Sequence, residues 1–166
     1  MSTLMKTGLA LGLAASLTPI AANAGATPSQ DIVVRSQSAM EQWASDTTRD
    51  LNRQLNIGAK HKNLGSAQGI VQVRFETDAS GKPVNLEVYR SSGNPTADRT
   101  ATWAVRRLDG LNDAPVNNAA GARFQANIIF ANTRADKQRF VAELATSERV
   151  RLARSVAESE VISLGS

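Results

Sequence analysis

The chain has 166 residues, no cysteine, one histidine and a formal net charge of +4 from 19 basic and 15 acidic side chains. The lack of cysteine excludes a disulfide framework and a thiolate nucleophile, and a single histidine between two lysines excludes a zinc site of the usual kind. Because the arginines are scattered among acids and not clustered with aromatic side chains, the composition argues against nucleic acid as a partner.

The first 24 residues have the pattern of a secretory signal peptide. Lys6 gives a positive start, an apolar stretch covers residues 7–20, and Ala22, Asn23 and Ala24 form a small-x-small cleavage site. The alternative is a retained anchor, but glycine, serine and proline interrupt a run shorter than the roughly 20 apolar residues of a spanning helix. The sequence therefore predicts export to the periplasm, with cleavage and no transmembrane helix in the mature chain.

The residues after the cleavage site are expected to begin with a flexible lead-in over 25–37, in which the short run DIVV (31–34) could form a brief strand. Ser38 and Glu41 have the spacing of a capping box, and apolar residues then recur at helical spacing. The sequence predicts a first helix over residues 38–55, with its apolar stripe packed on a sheet, followed by a polar loop.

Three segments have the alternation of apolar and polar residues that is typical of strands. The first two cover residues 71–76 and 84–89 and flank a turn-rich segment, which predicts an antiparallel hairpin. Asn94 as a cap and Pro95 at the first helical position then begin a second amphipathic helix. Alternation returns over 124–130, and the charged, helix-forming composition of residues 134–166 predicts a helical extension.

The order helix, strand, turn, strand, helix, strand resembles the C-terminal domain of the TonB family over about residues 40–132. The phrases VQVRFETD (71–78) and VYRSSG (88–93) carry the resemblance, together with an alanine-rich helix that ends in two arginines. The resemblance implies an α+β fold over residues 38–133, with a three-stranded antiparallel sheet and two helices on one face.

The resemblance also implies a role in protein–protein contact. In the family, this domain meets outer-membrane transporters by pairing its last strand with a short extended peptide, which is recognition by strand addition. Carried over to this chain, the peptide-binding edge is the strand containing Arg123, Phe124, Gln125, Asn127, Ile129 and Phe130. The sequence leaves open the alternative that the C-terminal helix covers this edge.

The chain departs from an energy-transducing TonB, because only Pro28 precedes the domain where the family has an anchor and a long proline-rich spacer. The favoured interpretation is therefore a periplasmic binding module for an envelope protein or peptide, with no catalysis and no cofactor, and an outer-membrane transporter is one candidate partner. Two alternatives stay open. One is an accessory structural protein that associates with the cell wall or forms a homodimer, and the other is a short transducer anchored on the periplasmic side of the inner membrane.

Overall fold

The computed structural model describes residues 30–62, 64–116 and 119–165, so the predicted signal peptide and the first part of the predicted lead-in lie outside the described residues. The elements in chain order are α1 (Gln30–Lys62), β1 (Gly69–Thr77), β2 (Pro83–Arg90), α2 (Pro95–Val105), a 3-10 turn (Leu111–Asp113), β3 (Arg123–Phe130), α3 (Arg134–Arg154), α4 (Val156–Ser159) and β4 (Ile162–Leu164). None of the helices in these ranges is long and apolar enough to cross a membrane.

The sheet has four strands in the order β2-β1-β3-β4. β1 is antiparallel to both β2 and β3, whereas β4 is parallel to β3. The α+β class is confirmed, but the expectation of three antiparallel strands is wrong. Parallel neighbours need a crossover connection, and α3 supplies it by carrying the chain back along the sheet after β3. Since β4 has only three residues, its sequence is too short to show a strand period.

The first helix is longer than the sequence indicated. α1 has 33 residues and begins at Gln30, so the brief strand expected at residues 31–34 and the helix start predicted at residue 38 are wrong. No proline interrupts α1, and the helix continues through Gly58. A Cβ at Gly58 would lie 3.1 Å from both the Trp103 ring and Thr100 Cγ2, so glycine lets α1 approach α2 closely.

The main hydrophobic core lies between α1, α2 and one face of the sheet. Its members include Trp43, Leu51, Val71, Val73, Phe75, Ala101, Val105 and Phe124. Phe75 and Phe124 stack with ring centroids 5.3 Å apart, and Trp43 Nε1 donates to Gly110 O at 3.1 Å. Asn94 caps α2 as the sequence predicts, because its side chain accepts from Thr96 N and Ala97 N.

Candidate functional site at the outer edge of the third strand

β3 carries all six residues that the sequence selects for the peptide-binding edge. Phe124 lies in the core with no exposed surface, and Phe130 packs partly against the same core. On the opposite face, Gln125 is fully buried and Asn127 is 4% exposed. Gln125 and Asn127 therefore face a covered layer of the protein, whereas Arg123 at the start of the strand is exposed.

The outer edge of β3 is occupied. Phe124, Gln125 and Ala126 are paired with Ile162, Ser163 and Leu164, respectively. The expectation that β3 is the last strand of the sheet is therefore wrong over these three residues, and the covering element is a strand as well as a helix. The chain holds this position after β4, where Gly165 N donates to Thr48 Oγ1 of α1 at 3.1 Å.

A buried network of amides joins β1 and β3 to α3. Gln72 Nε2 donates to Asn127 Oδ1 at 2.9 Å and to Glu148 Oε1 at 3.0 Å. Gln125 Nε2 donates to the same two oxygens at 3.0 and 2.8 Å. A glutamate of α3 thus takes the place of water above the polar face of the sheet.

A guanidinium on β1 holds the segment before β4. Arg74 binds the Glu158 carboxylate through two hydrogen bonds, Nη1 to Oε1 at 3.0 Å and Nη2 to Oε2 at 2.6 Å. Its Nε donates to Gln125 Oε1 at 3.0 Å, and its Cζ lies 3.5 Å from the centroid of the Tyr89 ring. The hydrogen bonds from Arg74 are the main reason that the pKa of Glu158 lies below its ordinary value of 4.5.

A second guanidinium joins α3, α4 and β4. Arg151 is 5% exposed, and its Nε donates to Glu148 Oε2 at 2.9 Å. Its other nitrogens donate to Glu158 O and, at 3.1 Å, to Ser163 Oγ. Ser163 in turn donates to Glu148 Oε2 at 3.1 Å. No buried side-chain nitrogen or oxygen in the described ranges lacks a hydrogen-bond partner.

Residues 134–164, which include α3, α4 and β4, are called the C-terminal arm below. Sequence reasoning missed the arm's contribution to this site, namely Glu148, Arg151 and Glu158, and also missed Arg74 on β1. Their charges are ordinary for a solvated helix or an alternating strand, so one sequence gives no signal that they face one another. Ion pairs and hydrogen bonds of these residues hold the C-terminal arm in place, with β4 paired to the outer edge of β3.

The described residues contain no group of three or more histidine, cysteine, aspartate and glutamate side chains that could hold a metal ion. His61 is exposed near the end of α1. The chemistry that this edge can offer is therefore hydrogen bonding from a strand backbone, together with charged and amide groups above the sheet.

Residues 62–131 match the family described as the Gram-negative bacterial TonB protein C-terminal. The protein TonB of Pseudomonas putida is 32% identical over 100 residues, which cover 60% of this chain and 40% of that protein. The chain thus matches less than half of that relative's length. Comparison with solved structures gave no match. The family match includes β1 to β3 and ends before α3, so the C-terminal arm lies outside it.

Proposed function

We propose that the chain is a TonB-like binding module of the cell envelope, because residues 62–131 match the TonB C-terminal family. It takes up an extended peptide of a partner protein along the outer edge of β3. A periplasmic segment of an outer-membrane transporter is the partner that the family favours. The role needs no catalytic group.

The observation that carries this proposal is β4 itself. A three-residue segment already lies parallel to β3 and is paired with it, which supports the idea that this edge takes an added strand. Leu164 is 1% exposed and belongs to the main core, whereas Ser163 lies on the polar side with Glu148. A peptide with apolar, small polar and apolar residues in succession would make the same contacts.

A partner peptide can reach this edge only if β4 leaves it. The face beneath the arm is rich in polar groups. When the arm moves away, water can replace the hydrogen bonds that Gln72 and Gln125 donate to Glu148 of α3. The core between α1, α2 and the sheet keeps most of its members when the arm moves. The proposed binding step is therefore an exchange of one short strand for another.

The test weakens β4 and measures binding of a peptide with the chain's own sequence EVISLG. Leu164→Ala should raise the affinity for this peptide, because truncating a buried leucine costs about 2–5 kcal/mol and makes the competing strand easier to displace. Leu152→Ala is the matched control, since Leu152 is 49% exposed on α3. Hydrogen exchange should show that the bound peptide protects β3. Equal binding to both variants, or protection elsewhere, would contradict the proposal.

A further inference from the structure

The opposite edge of the sheet is formed by β2, which pairs with β1 on one side and with no described strand on the other. A groove of about 350 Å³ lies between β2 and α2. Its walls are formed by Val88, Asp98, Arg99, Thr102, Trp103 and Arg106. The C-terminal arm contributes no residue to this groove, so it is separate from the β3 edge.

The floor of the groove is apolar and fixed in position. Val88 is 39% exposed, which is high for a valine in a strand that packs on a helix. Trp103 is half-buried, because α1 supports one side of its ring at Gly58. The Arg107 guanidinium lies over the ring, with Cζ 3.9 Å from its centroid. Tryptophan and arginine in such a setting are typical of residues that dominate protein interfaces.

The rim of the groove is basic. Arg99, Arg106 and Arg107 are exposed, and none of them forms an ion pair with a carboxylate of the described residues. Asp98 is the acid of the groove, but its oxygens accept hydrogen bonds from Ser91 and Ser92. These hydrogen bonds come from neutral groups and leave Asp98 charged, so it offsets one of the three arginines and the rim keeps a net positive charge.

Stabilisation of the helix end explains only part of this arrangement. Basic side chains near a helix C-terminus interact favourably with the helix dipole, which accounts for Arg106 and Arg107 at the end of α2. It does not account for Arg99, which lies near the beginning of the same helix, or for the exposure of Val88 and Trp103. The combination of an apolar floor and a basic rim needs another explanation.

The edge of β2 is open along only part of its length. Asn85 has a φ of 53°, and the pairing with β1 is irregular beside it and again between Val88 and Arg90. Such irregularity protects an edge from unwanted pairing. Residues 86–90 belong to β2, and Val88 of this stretch lines the groove, so a segment that pairs with this part of the edge would also lie along the groove.

We propose that this groove binds an acidic, extended segment of a partner protein. The backbone of that segment pairs with residues 86–90 of β2, and one of its apolar side chains lies between Val88 and Trp103. Its carboxylates pair with Arg99 and Arg106, where charge-assisted bonds give both attraction and register. The concave shape and the adjacent strand edge favour a peptide over a flat anionic membrane surface. This site acts without displacement of the C-terminal arm.

The test uses the full chain and a labelled peptide that alternates glutamate with valine, measured by fluorescence anisotropy at low salt. The peptide should bind the unmodified chain, and Arg106→Glu should weaken binding by about tenfold or more, because it places like charges together. Arg149→Glu is the matched control. Arg149 is an exposed arginine on α3 without a carboxylate partner, and its reversal changes the net charge equally.

Hydrogen exchange identifies the edge that is used. Protection of amides in β2, and binding that is the same in Leu164→Ala as in the unmodified chain, would support the β2 site even if peptide exchange at β3 fails. Protection of β3 instead, equal weakening by Arg106→Glu and Arg149→Glu, or equal binding of a lysine–valine peptide would overturn it. Binding of phosphatidylglycerol vesicles that is lost in Arg106→Glu, without binding of the peptide, would also overturn it.

Discussion

Arg151 should be the residue on which closure of the C-terminal arm depends most. It is 5% exposed and pairs with Glu148, whose side chain is 17% exposed. Replacing Arg151 with alanine leaves that carboxylate covered and without its cation. Losing one partner of a buried pair usually costs about 3–5 kcal/mol. For Arg151→Ala we expect a cost at the lower end of this range, because Gln72, Gln125 and Ser163 still donate hydrogen bonds to Glu148.

The cost should fall on the arm and not on the whole fold. The hydrogen bonds of Arg151 go to Glu148, Glu158 and Ser163, which all belong to the arm, so Arg151→Ala should open α3 and β4 locally. A loss of about 3 kcal/mol increases the open fraction more than a hundredfold. Native-state hydrogen exchange should show this as faster exchange in α3 and β4, with β1 and α2 little changed.

A double variant provides the control. Glu148→Gln combined with Arg151→Met removes both charges, while the amide oxygen still accepts from Gln72 and Gln125. Because a neutral pair avoids the cost of a covered charge, this variant should recover most of the lost protection. The reasoning is refuted if Arg151→Ala leaves exchange in α3 unchanged, or if the double variant is no better than the single one.

Two further predictions concern pH and processing. The pKa of Glu158 in the folded chain lies below 4.5, because Arg74 stabilises its ionised form, so this stabilisation should be complete above about pH 4.5 and should be lost as pH falls through the folded value. The free energy of unfolding, measured with urea across this pH range, should fall less on acidification in Glu158→Gln than in the unmodified chain. The same pH dependence in both proteins would contradict the role given to Glu158. For processing, we expect the mass of the protein from the envelope fraction to show a chain that starts at Gly25; an intact Met1 in the inner membrane would favour an anchored form.

The elements with a clear period could be predicted from sequence. Alternation identified the hairpin of β1 and β2 and also β3, and the cap at Asn94 located the start of α2. β4 could not be found in this way, because three residues after a charged helix give no period. The helical residues 31–34 were mistaken for a brief strand, since short apolar runs do not distinguish a strand from a helix.

The candidate site shows a different limit of sequence reasoning. Alternation places Gln125 and Asn127 on the face of β3 opposite Phe124, which the structure confirms. Alternation cannot say whether such a face meets water or a second polar layer. In this protein the face lies under Glu148 of α3. Gln72 alone is bonded to Asn127, which is 55 residues away in sequence, and to Glu148, which is 76 residues away. Only the fold brings these side chains together.

The two faces of the sheet differ in a way that bears on function. The face under α1 and α2 is a continuous apolar core, so exposing it would unfold the protein. The face under the C-terminal arm carries the buried polar side chains Gln72, Gln125 and Asn127, which can exchange protein partners for water with a smaller loss. An element that must move is better placed on the second face. In the function proposed above, the β3 edge opens when the C-terminal arm moves, whereas the groove beside β2 needs no such movement, so the two proposed sites are independent.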